Sequence, residues 1–239
     1  MIELNGYEDH LHGKTQQTFA DGHVGGCNIY GDPTSECPKM WAFICNRLNI
    51  TSVIDIGCGF GYHTKYFKEQ LDLRVVGVEG SKKVVKLTPI KEVIHHDYTQ
   101  AEYIPDDDFD LAWCIEFVEH VEDQYKDNFL ATFKKCKHLV MTHATPGQSG
   151  YHHVNERDRS YWIEYISKNG FEFLPDLTEK CGEISKEDLE DLRIWLQGDD
   201  GSYRGPSAEA WKSNGLLGGG DGEPWFHKNC LVFRNINLT

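Results

Sequence analysis

From residue 35 onward the chain alternates short apolar bursts with amphipathic stretches. Over 36–48, Met40, Trp41, Ile44 and Leu48 share one helical face, Ser35 is a candidate N-cap and Pro38 lies in the first turn. Apolar runs at 52–56, 74–78, 93–96, 109–115 and 138–142 predict strands. Helical patterns occupy 62–70, 82–87, 123–135 and 159–169, the last stopped by Gly170. Runs at 171–174 and 230–234 predict a sixth and a seventh strand. Strands separated by helices predict an α/β fold: a doubly wound, seven-stranded, mostly parallel sheet with helices on both faces and right-handed crossovers. The last two strands would pair antiparallel at one edge.

Two stretches break this rhythm. Residues 1–34, rich in Gly, His, Asn and Asp, predict an irregular N-terminal arm or lid. Residues 176–229 predict an insertion with one helix over 186–196, then a tract through Gly205, Gly215 and Gly218–Gly220. A connection this long is functional or mobile. The expected organisation is a single domain over 1–239, with a binding core at 35–175 and a last strand from 230.

The 239-residue length suits one large α/β domain, and 39% hydrophobic residues suffice for a core. No apolar run of about 18 residues predicts a membrane span. The N-terminus carries acidic residues and no apolar h-region, so no secretory signal is expected. A formal net charge of −14 repels phosphate backbones, so nucleic acid is not an expected partner. Lys134, Lys135, Lys137 and His138 read as a solvated helix end. The eight cysteines include no CxxC pair and predict free thiols in a reducing, cytoplasmic setting. The sequon at Asn49 carries no meaning there.

The strongest local signal is the run from Val53 to Gly61, an apolar strand passing into Gly57-x-Gly59-x-Gly61 and a helix. The glycines allow a sharp turn and close approach of a ligand to backbone, and the helix start offers unpaired N–H groups. Glu79 ends the next strand about 20 positions on, where a carboxylate accepts both hydroxyls of a ribose. A dinucleotide turn would need glycine at position 62, which is Tyr62.

With Asp55 just before it, this turn resembles that of the class I S-adenosylmethionine-dependent methyltransferase superfamily. There the amino acid moiety of the cofactor lies over the glycines. His96-Asp97-Tyr98 follows the third strand, where members place an Asp near the adenine amino group. Phe109 to Val121 resembles the fourth strand and the E-x-x-E-H-V stretch of the family. The resemblance spans about 50–175 and implies a Rossmann-like fold with S-adenosyl-L-methionine as cofactor. It implies that Gly57, Gly59 and Gly61 form the turn, and that Asp55 orients it or meets the methionyl ammonium through water. Glu79 would hold the ribose, and Asp97 would face adenine N6 with Tyr98 as neighbour. Glu116 and Phe117 would line the cofactor pocket. His63 reads as a helix N-terminal residue.

The loop from His143 to Asn155 is too polar for a core and follows the fifth strand, where an acceptor would sit. Its G-x-x-G-Y-H-H-V-N run, with Tyr161-Trp162 beyond, resembles sugar- and glycan-modifying methyltransferases of bacterial and viral polysaccharide pathways. A hydroxyl acceptor benefits from a base of near-neutral pKa, which histidine supplies. The candidate bases are His153 or His152, with Asn155 positioning them, and His143 as a third. Adjacent histidines point apart in an extended chain, and no recognisable ligand spacing accompanies them, so no metal is expected. The tail from Trp211 to Trp225, Phe226 and His227 either packs on the sheet edge, stacks on a sugar or closes over the cofactor. His23 and Tyr30 are lid candidates. The expected activity is methylation of a sugar hydroxyl on a glycan or nucleotide sugar. The alternatives are a small-molecule N-, carboxyl- or phenol-methyltransferase, or a non-catalytic cofactor-binding subunit.

Overall fold

The computed structural model describes residues 18–28, 35–148, 150–196 and 225–238. The seven strands of the main sheet are β3 (Ser52–Ile56), β4 (Arg74–Glu79), β5 (Val93–His95), β6 (Phe109–Cys114), β7 (Cys136–Met141), β8 (Phe171–Phe173) and β9 (Leu231–Asn235). Their order is β5-β4-β3-β6-β7-β9-β8. The first five are parallel, and β9 runs antiparallel between β7 and β8. The helices are α1 (Pro38–Arg47), α2 (Tyr62–Glu69), α3 (Lys82–Leu87), α4 (Lys126–Phe133), α5 (Arg159–Lys168), α6 (Pro175–Leu196) and α7 (Trp225–Asn229).

The central strands read as unbroken apolar runs because both faces of the sheet are covered. Alternate side chains still go to opposite faces. Ile54, Ile56, Ala112, Cys114, Leu139 and Met141 join Phe129, Phe133 and Trp162 in one core. Val53, Leu111, Trp113 and Val140 face the other way, onto Trp41, Phe67 and Phe226. Burying one such aliphatic side chain stabilises the fold by about 1.5–3 kcal/mol.

Several expected boundaries move. Strand β7 starts at Cys136, two residues before its apolar run, because Cys136 lies opposite Phe109 on β6. The stretch expected as one helix over 123–135 splits into a 3-10 turn, Asp123–Tyr125, and α4. Ser35 is not the cap of α1: Cys37 holds that position and its side chain caps nothing. The carboxylate of Asp188 on α6 substitutes, accepting from Lys39 N at 3.0 Å and Met40 N at 2.9 Å. Helix α6 begins at Pro175, far ahead of the expected 186. Pro175 and Gly182 disguised it as loop. Proline suits a first helical position, and Gly182 packs against His227 of α7, where a Cβ would make ordinary van der Waals contact.

The N-terminal arm contains a hairpin, β1 (Thr18–Ala20) against β2 (Gly26–Asn28), around the 3-10 turn Gly22–Val24. Tyr30, Ser149, Trp211 and the glycines at 205, 215 and 218–220 lie outside the described residues. Among the described residues, no helix is long and apolar enough to cross a membrane.

Truncating the borrowed cap, Asp188→Ala, is expected to lower stability by about 1–2 kcal/mol in urea unfolding. Burial pushes the Asp55 carboxyl up to about 7. The folded chain then keeps a proton that the unfolded chain sheds near pH 4. This group therefore lowers stability as pH rises from about 4 to 7. Thermal melting against pH should show that decline, and Asp55→Asn should flatten it.

Candidate active site

The turn after β3 is stitched to the end of β4. Gly57 N and Cys58 N both donate to the Val78 carbonyl, at 2.9 and 3.1 Å. Gly57 has φ 73°, and a Cβ there would fall 2.4 Å from the ring of Phe117. Gly61, at φ 81°, is the left-handed residue that opens α2. Gly59 N donates to Glu79 Oε2 at 2.9 Å, and Ser81 N donates to Oε1 at 2.7 Å. Glu79 is thereby a fixed carboxylate at the strand end. Burial pushes its pKa up, against the pull of these N–H donors.

Asp97, just past β5, accepts from Thr99 N, from Thr99 Oγ1 and, at 2.8 Å, from His23 Nε2. His23 lies in the N-terminal hairpin. Asp21, at the hairpin's other side, accepts from Ser81 Oγ at 2.5 Å and Lys83 Nζ at 2.9 Å. The hairpin thus straps the mouth of a cavity bordered by Glu79, Asp97 and Phe117. Under the strap its volume is only about 60 Å³. Tyr98 borders it too, but its hydroxyl is engaged below with Thr132 Oγ1 at 3.0 Å.

Asp55 lies under the turn and accepts from Thr64 Oγ1 at 2.6 Å. Glu116 takes the left-handed conformation, φ 49°, uncommon for a residue with a side chain. Its N–H donates to Thr142 Oγ1, and its carboxylate accepts from Gln148 at 3.4 Å. Glu116, Gly57 and Gly59 border both the strapped cavity and a second, open one of about 360 Å³. His63 also borders the open cavity. More than a helix-start residue, it is buried and accepts from Trp113 Nε1 at 3.0 Å, and burial pushes its pKa down to about 3.

The histidine loop divides sharply. His143 is 0% exposed beneath the loop, its ring 6.5 Å from that of Trp162, and burial lowers its pKa to about 4. It borders neither cavity, so it is set aside as a base. His152, at φ 56°, borders neither cavity, and its carbonyl accepts from His120 Nδ1 at 3.3 Å. His153 does border the open cavity, with Nδ1 donating to Glu156 Oε1 at 3.1 Å. Asn155, expected to position the histidines, is buried and donates to the Val121 carbonyl at 3.0 Å, anchoring the loop that carries them.

Two residues given no role in the sequence join His153. The 3-10 turn Val118–His120 buries Glu119 and brings His120 to the border of both cavities. The Glu119 carbonyl accepts from Val154 N at 2.9 Å and Asn155 N at 3.0 Å, which ties the histidine loop to this turn. The rings of His120 and His153 stand 5.0 Å apart. Burial first, and the Glu116 charge second, hold the Glu119 carboxyl well above its usual range. Burial, helped by the neighbouring His153, lowers His120 to about 4. The E-x-x-E-H spacing was the signal, since it sets Glu119 and His120 beside the pocket-lining Glu116.

Residues 54–138 match the family model described as a methyltransferase domain. The methyltransferase GfsG of Streptomyces halstedii is 26% identical over 141 residues, covering 51% of this chain and 50% of that protein. Norajmaline N-methyltransferase of Rauvolfia serpentina is 31% identical over 108 residues, covering 41% of this chain and 32% of that protein. The chain thus spans half or less of these relatives. The solved structure of the cyclase SpnF shares the fold, with TM-score 0.50 and 15% identity over 97% of this chain and 91% of that one. The chemistry of the site fits S-adenosylmethionine: a turn at Gly57 with no room for a side chain, and carboxylates at the ends of β4 and β5 for hydroxyl and amino donors. The family match runs from inside β3 into β7, across that turn and both carboxylates, and over this stretch the chain is similar to methyltransferase domains.

Proposed function

We propose that the chain is an active methyltransferase whose acceptor is a sugar-type hydroxyl, on a glycan or nucleotide sugar, activated at His153. The observation that carries this reading is the placement of His153 on an open cavity that shares Gly57, Gly59 and Glu116 with the strapped one. Adjoining cavities let a donor and an acceptor meet end to end, and alignment is most of what a displacement at an activated methyl requires. When bound, the cofactor supplies that methyl on a sulfonium. Gly57, Gly59 and Gly61 would carry its amino acid part, Glu79 its ribose and Asp97 its adenine.

A hydroxyl is a weak nucleophile until its proton is drawn away, so a hydroxyl acceptor gives His153 a task. A neutral amine, already nucleophilic, needs less help. Glu156 holds Nδ1 of the ring, while the Nε2 side lies close to Gly150, whose lack of a side chain leaves room for it. The strapped cavity is smaller than the roughly 300–1,000 Å³ of ligand pockets. The hairpin therefore acts as a lid, and the His23–Asp97 contact is its latch.

Calorimetry should show binding of S-adenosylmethionine and of its demethylated product. Glu79→Ala should weaken both at least about tenfold, the loss of a charge-assisted acceptor. Absence of binding by the unaltered chain would reject the cofactor assignment. His153→Ala should keep cofactor affinity and lower turnover on a hydroxyl acceptor at least about tenfold. Near-full turnover would take His153 out of the mechanism, and methylation of amines alone from a mixed panel would overturn the hydroxyl reading.

A further inference from the structure

We propose that Glu119, His120 and His153 form a binding site for a divalent first-row transition ion beside the acceptor cavity. The three residues each offer one ligand atom, and these atoms lie within 4.8 Å of one another. They come from separate parts of the chain, the 3-10 turn after β6 and the loop after β7, which the Glu119 carbonyl fastens together.

Two further observations point to a cation. Glu119 is 0% exposed, its carboxylate oxygens make no hydrogen bond of good geometry, and its charged neighbour Glu116 is another acid. A buried polar group in that condition is strongly destabilising, and coordination relieves it. Each histidine has its Nδ1 already engaged: His120 donates to the His152 carbonyl and His153 to the Glu156 carboxylate. Metal-ligating histidines show this outer arrangement, with one ring nitrogen held by a carbonyl or carboxylate and the other free to ligate. Two imidazoles and a carboxylate suit zinc, cobalt, manganese or iron, and three protein ligands leave positions open for another oxygen. Metal–ligand bonds of about 2.0–2.2 Å require the three atoms to draw closer, to about 3–3.5 Å, by small side-chain rotations.

The role of such an ion rests on the hydroxyl-acceptor reading and changes the part His153 plays in it, from base to ligand. A hydroxyl bound to the ion loses its proton to water more readily. Its oxygen then bonds to the methyl carbon as the carbon–sulfur bond breaks, and the electron pair of that bond stays on sulfur. The products are a methyl ether, the neutral thioether and a released proton.

Cobalt(II) chloride, titrated into the chelator-stripped full chain, is the test, read by visible d–d absorption. The expected result is saturation at one equivalent. His153→Ala and Glu119→Gln should each weaken binding at least about tenfold. Both variants are checked for folding by their retained affinity for S-adenosylhomocysteine. Should Glu119→Gln not fold, the more exposed His153→Ala decides, its side chain being 12% accessible. No cobalt signal in the unaltered chain, or binding indifferent to these substitutions, overturns the site. Turnover before and after chelation separates the two readings. Full-rate hydroxyl methylation by the stripped chain, with no cobalt signal, removes the ion and keeps the hydroxyl. Cobalt binding without any hydroxyl product does the reverse.

Discussion

The register between β3 and β4 is the constraint on which the site depends. Ile56 lies opposite Val78, so both strands end at the same level. The Val78 carbonyl can then take two N–H groups from the glycine turn, and Glu79, one residue further, meets the N–H of Gly59. A slip of one residue would turn Glu79 to the wrong face and leave the turn's donors unpaired. The apolar alternation prevents the slip. Val53 and Ile54 face different cores, so moving either strand would put side chains of the wrong size into packed layers. The binding turn is therefore held by the hydrophobic order of the sheet as much as by its own hydrogen bonds.

This half of the molecule was legible from sequence because its signals are local. Strand, glycine turn, helix and acid follow one another within about thirty residues, and each element forms under a rule that needs no distant partner. Where a distant partner decides, the reading failed. Nothing near residue 37 shows that Asp188 caps α1, and the proline and glycine of 175–185 hide a helix that packs against α7. His63 looked like a helix-start residue because its partner, Trp113, lies fifty positions away on β6.

The histidine loop shows the same limit at the acceptor side. Three histidines were candidates in sequence, His153 or His152 ahead of His143, on a polar loop in the right place. Their fates are set by what lies beneath. His143 falls into a layer with Trp162, and His152 turns through a left-handed backbone that lends its carbonyl to His120. Only His153 meets the open cavity, together with the neighbour it needs from the 3-10 turn. Glu119 shows most clearly why residue type alone misleads. Its charge marks it for the surface, yet the fold encloses it completely.

Enclosure of that carboxylate and closure of the hairpin belong to one argument about how the site is kept. Asp97 and His120 both touch the strap: Asp97 through His23, and His120 through Gly25, where an added Cβ would come within 2.9 Å of its Nδ1. The strap therefore covers the Asp97 end of the cleft and packs on the histidine that borders the open cavity. The same short hairpin is thus in contact with both borders of the cleft. Partial burial of both borders lowers the local dielectric, so charges at the glycine turn and at the histidine pair act more strongly there than in water. A strap contacting only one end would leave the other uncovered. The position of Gly25, against the imidazole and without a side chain to hold it off, is what couples them.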